Sequence, residues 1–214
     1  MITSPEAVKA IGYGCDHDAT ELSVLLGIVT AMRPALIVEV GCDTGGGLYA
    51  WSTTGAEVIG VSLGPHDPRL SCDPHGATMI TGNSHAEVTM QMLEAELAGR
   101  RPDFFMIDGD HSEQGCRSDW RLAQRVGALA VGMHDLSPRR LPGDPGVRKV
   151  WAEICARHPS VTIRNPASPD CPGAGIAWLG EPLPVTVKFC PSCRAAVNGH
   201  EADPLYHNPG CDRV

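Results

Sequence analysis

The chain has 214 residues, of which 43% are hydrophobic and 20% charged, values that fit one globular domain with room for a small appendage. A formal net charge of −8 argues against a protein that wraps nucleic acid through broad electrostatics, although Arg139, Arg140, Arg148 and Lys149 form a local basic cluster. No apolar run approaches the ~20 residues that span a bilayer, and Met1-Ile2-Thr3-Ser4-Pro5-Glu6 lacks a signal-peptide pattern, so a cytoplasmic protein with no membrane partner is expected.

Leu22, Leu25, Leu26, Val29 and Met32 fall at helical spacing within residues 19–33 and predict an amphipathic helix ended by Pro34. Ala35 to Val40 reads as a buried strand, followed by a glycine cluster and a helix through Leu48, Ala50 and Trp51 that stops near Gly55. Glu57 to Leu63 is a second strand, and the proline-rich stretch 64–76 a loop. A third strand, Ala77 to Thr81, ends at Gly82-Asn83-Ser84. Ala86, Met90, Leu93 and Leu97 predict a helix closed by Gly99.

Asp103 to Ile107 is a fourth strand; Cys116, Trp120, Ala123 and Val126 form the next helical stripe; Ala128 to Val131 begins a fifth strand. After a loop with Pro138, Pro142 and Pro145, a periodic helix carries Val147, Val150, Trp151, Ile154 and Cys155. Two last strands, near Val161 to Arg164 and Gly175 to Leu179, suit a hairpin at a sheet edge. Strand alternating with helix over residues 1–180 predicts an α/β class, a doubly wound Rossmann-like sheet of about seven strands.

Three turns carry the chemistry. Glu39-Val40-Gly41-Cys42-Asp43-Thr44-Gly45 follows the first strand; its glycines permit a sharp bend and close approach to a ligand. It matches neither the dinucleotide glycine pattern nor a phosphate-binding loop, because Asp43 replaces the second glycine and no lysine follows. Ile107-Asp108-Gly109-Asp110-His111 and Met133-His134-Asp135 end the fourth and fifth strands, so two carboxylates and two imidazoles reach one edge of the sheet. With strands ~5 Å apart, Asp108 and Asp135 fall close enough to share a cation.

These motifs, in this order, resemble the class I S-adenosylmethionine-dependent methyltransferases over about residues 20–180. More narrowly, the acidic turns and Gly82-Asn83-Ser84 are similar to the branch of small O-methyltransferase-like and cephalosporin-hydroxylase-like proteins. The resemblance implies S-adenosylmethionine held by Glu39, Gly41, Asp43, Gly45, Ser62, Asn83, Ser84 and Asp108. It implies Mg²⁺ on Asp108 and Asp135, with His134 as a further ligand, and His111 or Asp110 as general base for O-methylation of a small hydroxylated substrate. The bland alternative for His111 is a helix cap; for His66, His75 and His85 it is a solvated loop.

The family's second strand usually ends in an acid that accepts hydrogen bonds from the cofactor ribose; here Ser62 stands there, with Asp67 the nearest substitute. A neutral acceptor is weaker than a charged one by roughly half. A second reading therefore keeps the fold and drops catalysis, leaving a nucleoside- or partner-binding module. The position after the fourth strand also lacks the Asn/Asp-Pro-Pro-aromatic turn of base amino-methyltransferases, so a hydroxyl on a sugar or small aromatic is the expected acceptor. Oligomeric state is left open, homo-oligomers included.

Composition changes after Gly180. In residues 181–214, Cys190-Pro191-Ser192-Cys193 and His207-Asn208-Pro209-Gly210-Cys211 are separated by 13 residues and read as a four-ligand structural Zn²⁺ site in a small tail, with His200 as a competing ligand. The remaining six of nine cysteines are scattered singly, as reduced thiols packed among apolar residues. Lys188, Arg194 and Arg213 are too few cations for strong phosphate binding by the tail.

Overall fold

Helix α1 (Pro5–Gly12) begins where the Ser4 hydroxyl accepts the Ala7 amide and Pro5 presets the first turn. It lies in a stretch for which the sequence pattern predicts nothing. Asp18 caps α2 (Ala19–Met32) in the same way, accepting from Thr20 and Glu21. The computed structural model describes residues 3–65, 71–137, 146–165, 167–168 and 172–180, and the backbone of 187–189 and 196–198.

The central strands are β1 (Leu36–Val40), β2 (Glu57–Ser62), β3 (Thr78–Thr81), β4 (Phe104–Ile107) and β5 (Ala130–Met133). Every residue of β1, β4 and β5 is buried, as expected of parallel strands covered on both faces. Residues alternate between two cores, with Val38, Val40, Phe105 and Ile107 in one and Ile37, Phe104 and Met106 in the other. Glu39 falls in the second set by this period, beneath α3 (Gly46–Ser52), where Trp51 and Phe104 meet edge to face.

The sheet has seven strands in the order β3-β2-β1-β4-β5-β7-β6, the last two being β7 (Ala174–Trp178) and β6 (Ser160–Ile163). β6 and β7 form the expected hairpin, but β7 enters the sheet antiparallel between β5 and β6. α4 (Glu87–Leu97), α5 (Glu113–Arg125) and α6 (Gly146–Cys155) supply the remaining helices. A separate ribbon pairs β8 (Val187–Phe189) with β9 (Ala196–Asn198). Cys190 and Cys193 fall between these strands in sequence; with His207, Cys211, His200 and Cys171 they lie outside the described residues.

The register positions the chemistry. Val40 pairs with Ile107, and Ile107 with Met133, so the turns after β1, β4 and β5 leave the sheet side by side. The chain runs outward from β1 through β2 to β3, then crosses back to β4, which opens a crevice at the carboxyl ends of β1 and β4. Among the described residues no helix is long and apolar enough to cross a membrane. Cys15, Cys42, Cys72, Cys116 and Cys155 are all free thiols, as the scattered spacing implies.

Candidate active site

The crevice is a cavity of about 520 Å³. Gly41 to Asp43 form its floor, Ser62 and Asn83 to His85 one wall, and Asp108, His111 and Asp135 the other. Gly41 has φ of 90°, and a Cβ placed there would meet the Asp108 carbonyl oxygen at 2.1 Å. Only glycine lets the two turns touch backbone to backbone. Their amides continue the ladder beyond the strands: Gly41 N–H donates to Val61 O and Asp108 N–H to Val40 O, both at 2.9 Å. Gly45, at φ 95°, is equally constrained, since a Cβ would strike the Asp73 carbonyl at 1.9 Å.

Of the cofactor residues expected from sequence, all but Gly45 line the cavity, and several are already engaged within the protein. Glu39 lies under the glycine turn, 2% exposed, its Oε1 accepting from Trp51 Nε1 at 2.8 Å. Its Oε2 is buried with no hydrogen-bond partner, and burial pushes the carboxyl up to about 8. Glu39 is thus a neutral group that fixes α3 to the turn. Asp43 stands on the cavity floor with φ of 38°. The Ser62 hydroxyl accepts the Gly64 amide at 3.1 Å, which leaves its proton and one lone pair for a ligand. Asn83 Oδ1 accepts from His85 N–H at 2.9 Å, shaping the turn.

Ser84 donates to Asp119 Oδ1 at 2.7 Å, and His85 Nε2 lies 3.4 Å from the same oxygen. Asp119 is fully buried on α5, and burial raises its carboxyl above the usual range. It went unnoticed in sequence because it sits on the apolar stripe between Cys116 and Trp120. Asp67 and His66 lie outside the described residues, as do Arg139 and Arg140. Lys149 pairs with Glu113 at 2.8 Å, and Arg148 reaches the Ser137 carbonyl at 3.4 Å. His75 is no solvated loop residue, since its ring packs 4.5 Å from that of Tyr13.

At the acidic wall the expected juxtaposition is present. Asp108, His111 and Asp135 offer donor atoms within 4.8 Å of one another. His111 Nε2 lies 3.2 Å from Asp135 Oδ2 and 3.6 Å from Asp108 Oδ1, with the nitrogen itself shielded from solvent. Asp135 adopts φ of 58°, a left-handed turn that aspartate tolerates better than most residues. His134 Nδ1 lies 3.0 Å from Asp108 Oδ1.

Burial would raise Asp108, but the charge of His134 and bonds from His111 and His134 hold it well below the usual carboxylate range. His134 is raised well above the usual imidazole range by Asp108, against its burial. Hydrogen bonding to Asp108 likewise raises His111, while burial raises Asp135. Asp110 differs from its neighbours. It is exposed, and its Oδ1 accepts the Ser112 amide at 2.9 Å, which keeps it ionised and turns it into the start of α5.

Behind this wall lie two groups that sequence reading missed. His17 and Glu21 are buried before and within α2, with His17 Nδ1 2.9 Å from Glu21 Oε1. Glu21 Oε2 accepts the Gly173 amide at 2.6 Å, and His134 Nε2 stands 3.5 Å from Glu21 Oε1. His17 and Glu21 precede the first strand, far from every motif. The one available signal was a polar i, i+4 pair at the start of an otherwise apolar helix.

No family model and no curated protein matches the sequence. The structure is similar to the O-methyltransferase from Bacillus cereus in complex with SAH, with a TM-score of 0.61, 16% identity and coverage of 83% of this chain and 92% of that one. It is also similar to the O-methyltransferase TomG from Streptomyces achromogenes, involved in tomaymycin synthesis and bound to SAM, with a TM-score of 0.58, 12% identity and coverage of 84% and 91%. A third likeness is to the SAH-bound methyltransferase of Podospora anserina, with a TM-score of 0.55, 14% identity and coverage of 82% and 88%. The chain therefore has the fold of the class I S-adenosylmethionine-dependent methyltransferases, of the small O-methyltransferase type.

Glu39 generates a prediction for stability. Its folded-state value of about 8 lies above its ordinary 4.5, so its contribution is fully present below 4.5 and is lost as pH rises through 8. Glu39→Gln, neutral throughout, removes that component and melts several degrees higher than the parent at pH ~8, with no gain near pH ~4.5. Parallel pH profiles of melting temperature for the two proteins would contradict the assignment.

Proposed function

We propose that the chain transfers a methyl group from S-adenosylmethionine to a hydroxyl of a small molecule, assisted by a divalent cation. The observation that carries this reading is one crevice that joins the glycine turn to two carboxylates and a cavity-facing imidazole. The cofactor lies along Gly41 to Gly45, with Ser62, Asn83 and Ser84 on the nucleoside side. Asp43 and Asp108, which line the same cavity, are acids that would suit its cationic sulfonium.

The donor set fits a cation. His134 Nδ1 stands 3.0 Å from Asp108 Oδ1 and 3.8 Å from Asp135 Oδ2, so two carboxylates and an imidazole converge there. Asp108, Asp135 and His134 would hold the ion, which supplies charge stabilisation that acidifies the acceptor hydroxyl. His111, 34% exposed at its side chain, lines the cavity and takes the acceptor's proton. When bound, S-adenosylmethionine would supply the methyl group from its sulfonium, leaving as a neutral thioether. Asp110 drops out as a base, because its carboxylate is held low and committed to the Ser112 amide.

Ser62 is the observation that favours the second reading, a nucleoside-binding module without turnover, since its hydroxyl already accepts the Gly64 amide. Calorimetry separates the readings. One S-adenosylmethionine per chain is expected, and no heat at ~1 mM ligand would overturn the enzyme assignment. Asp108→Asn is expected to reduce metal-dependent turnover more than ~100-fold. Turnover unchanged in that variant would contradict the role given to Asp108.

The tail is assigned a structural zinc on Cys190, Cys193, His207 and Cys211, whose binding orders a segment poor in apolar residues. Purified chain is expected to carry about one zinc, lost in Cys190→Ser; less than ~0.2 per chain in the parent protein would remove the zinc from the account.

A further inference from the structure

The acidic wall carries more imidazole than an oxygen-seeking cation requires. At the buried end of the Asp108 carboxylate, His17, Asp108 and His134 offer a second set of donor atoms within 4.8 Å of one another. His17 Nε2 faces Asp108 Oδ2 at 3.8 Å, and His134 Nδ1 faces Oδ1 at 3.0 Å. Donors on one ion with bonds near ~2.1 Å stand roughly 3 to 3.5 Å apart, so small side-chain shifts close the set.

The far nitrogens of both rings lie near one carboxylate. His17 Nδ1 lies 2.9 Å from Glu21 Oε1, and His134 Nε2 lies 3.5 Å from the same oxygen. Ligand histidines characteristically turn their second nitrogen toward such a group, which fixes the tautomer and the ring plane. Glu21 is itself held by the Gly173 amide at 2.6 Å and is fully buried. The rings stack with centroids 3.6 Å apart and planes 26° from parallel, which keeps both edges aimed at Asp108. Side chains of His17 and His134 are 1% and 2% exposed.

We propose that the metal of this chain is a divalent transition ion of the manganese-to-zinc series, bound by His17, His134 and Asp108, with Glu21 orienting both imidazoles. The inference rests on the reading of this wall as a metal site and changes both its ligands and its ion. Mg²⁺ takes oxygen ligands in an octahedron and gains little from imidazole. Transition ions accept imidazole readily, in the affinity order that rises from manganese toward copper. His17 adds a ligand from α2's leading loop, so the centre ties the segment before β1 to the ends of β4 and β5.

The test uses the full metal-free chain and Mn²⁺, which is visible by electron paramagnetic resonance and has little affinity for the tail thiolates. Mn²⁺ is expected to bind at least ~10-fold tighter than Mg²⁺, and pulsed spectra to show two imidazole nitrogens on the ion. His17→Phe, which keeps an aromatic ring for stacking, is expected to lose one nitrogen coupling and ~10–100-fold in Mn²⁺ affinity. Glu21→Gln keeps both couplings and weakens binding ~10-fold. S-adenosylmethionine calorimetry on each variant verifies folding, and the parent spectrum decides the matter if a variant does not fold. Mn²⁺ bound without nitrogen coupling would overturn the inference and leave a carboxylate metal site standing. No Mn²⁺ binding by a chain that still binds S-adenosylmethionine would remove the inference and the metal from the proposed function, while leaving the cofactor assignment intact.

Discussion

The site depends on one backbone contact, the approach of Gly41 to the Asp108 carbonyl. A side chain on residue 41 would sit 2.1 Å from that oxygen, so a Cβ there would force β1 and β4 apart at their carboxyl ends. The same register that aligns Val40, Ile107 and Met133 brings the glycine floor and the acidic wall together across a few ångströms. Every functional distance at the wall follows from this alignment, because Asp108, His111, His134 and Asp135 all lie within four residues of a strand end.

Charge burial is the second constraint. Asp108, Asp135, Glu21, His17 and His134 occupy one region of low exposure, and an isolated buried charge costs several kcal/mol. Alternating acid and imidazole makes the cluster tolerable: His134 lies between Asp108 and Glu21, and His17 between Glu21 and Asp108. Clusters this dense in titratable groups are characteristic of functional sites. Glu39, by contrast, is raised by its burial and stays protonated, so it supports the glycine turn without adding charge.

Much of the fold was legible because parallel buried strands announce themselves as short apolar runs. The Phe104–Ile107 run and the run leading to Met133 ended in acids, and that sufficed to place Asp108 beside Asp135. Helix α1 escaped notice because eight residues give too little periodicity. The insertion of β7 between β5 and β6 is a tertiary choice that local pattern does not encode. His17 and Glu21 were missed for a related reason: they reach the site through folding, not through a motif. Asp110 stands in the same motif as Asp108, yet its Oδ1 accepts the Ser112 amide at the start of α5, a local contact that the motif does not encode.

The central claim is that the crevice seats S-adenosylmethionine with its sulfur toward the acidic wall. A crystal structure of the chain with S-adenosylhomocysteine tests it most directly. The account predicts the adenosine against Ser62 and Asn83, the amino-acid portion on the Gly41–Gly45 turn, and the sulfur facing Asp108 and His111. Ligand bound elsewhere, or with its sulfur turned away from that wall, would contradict it.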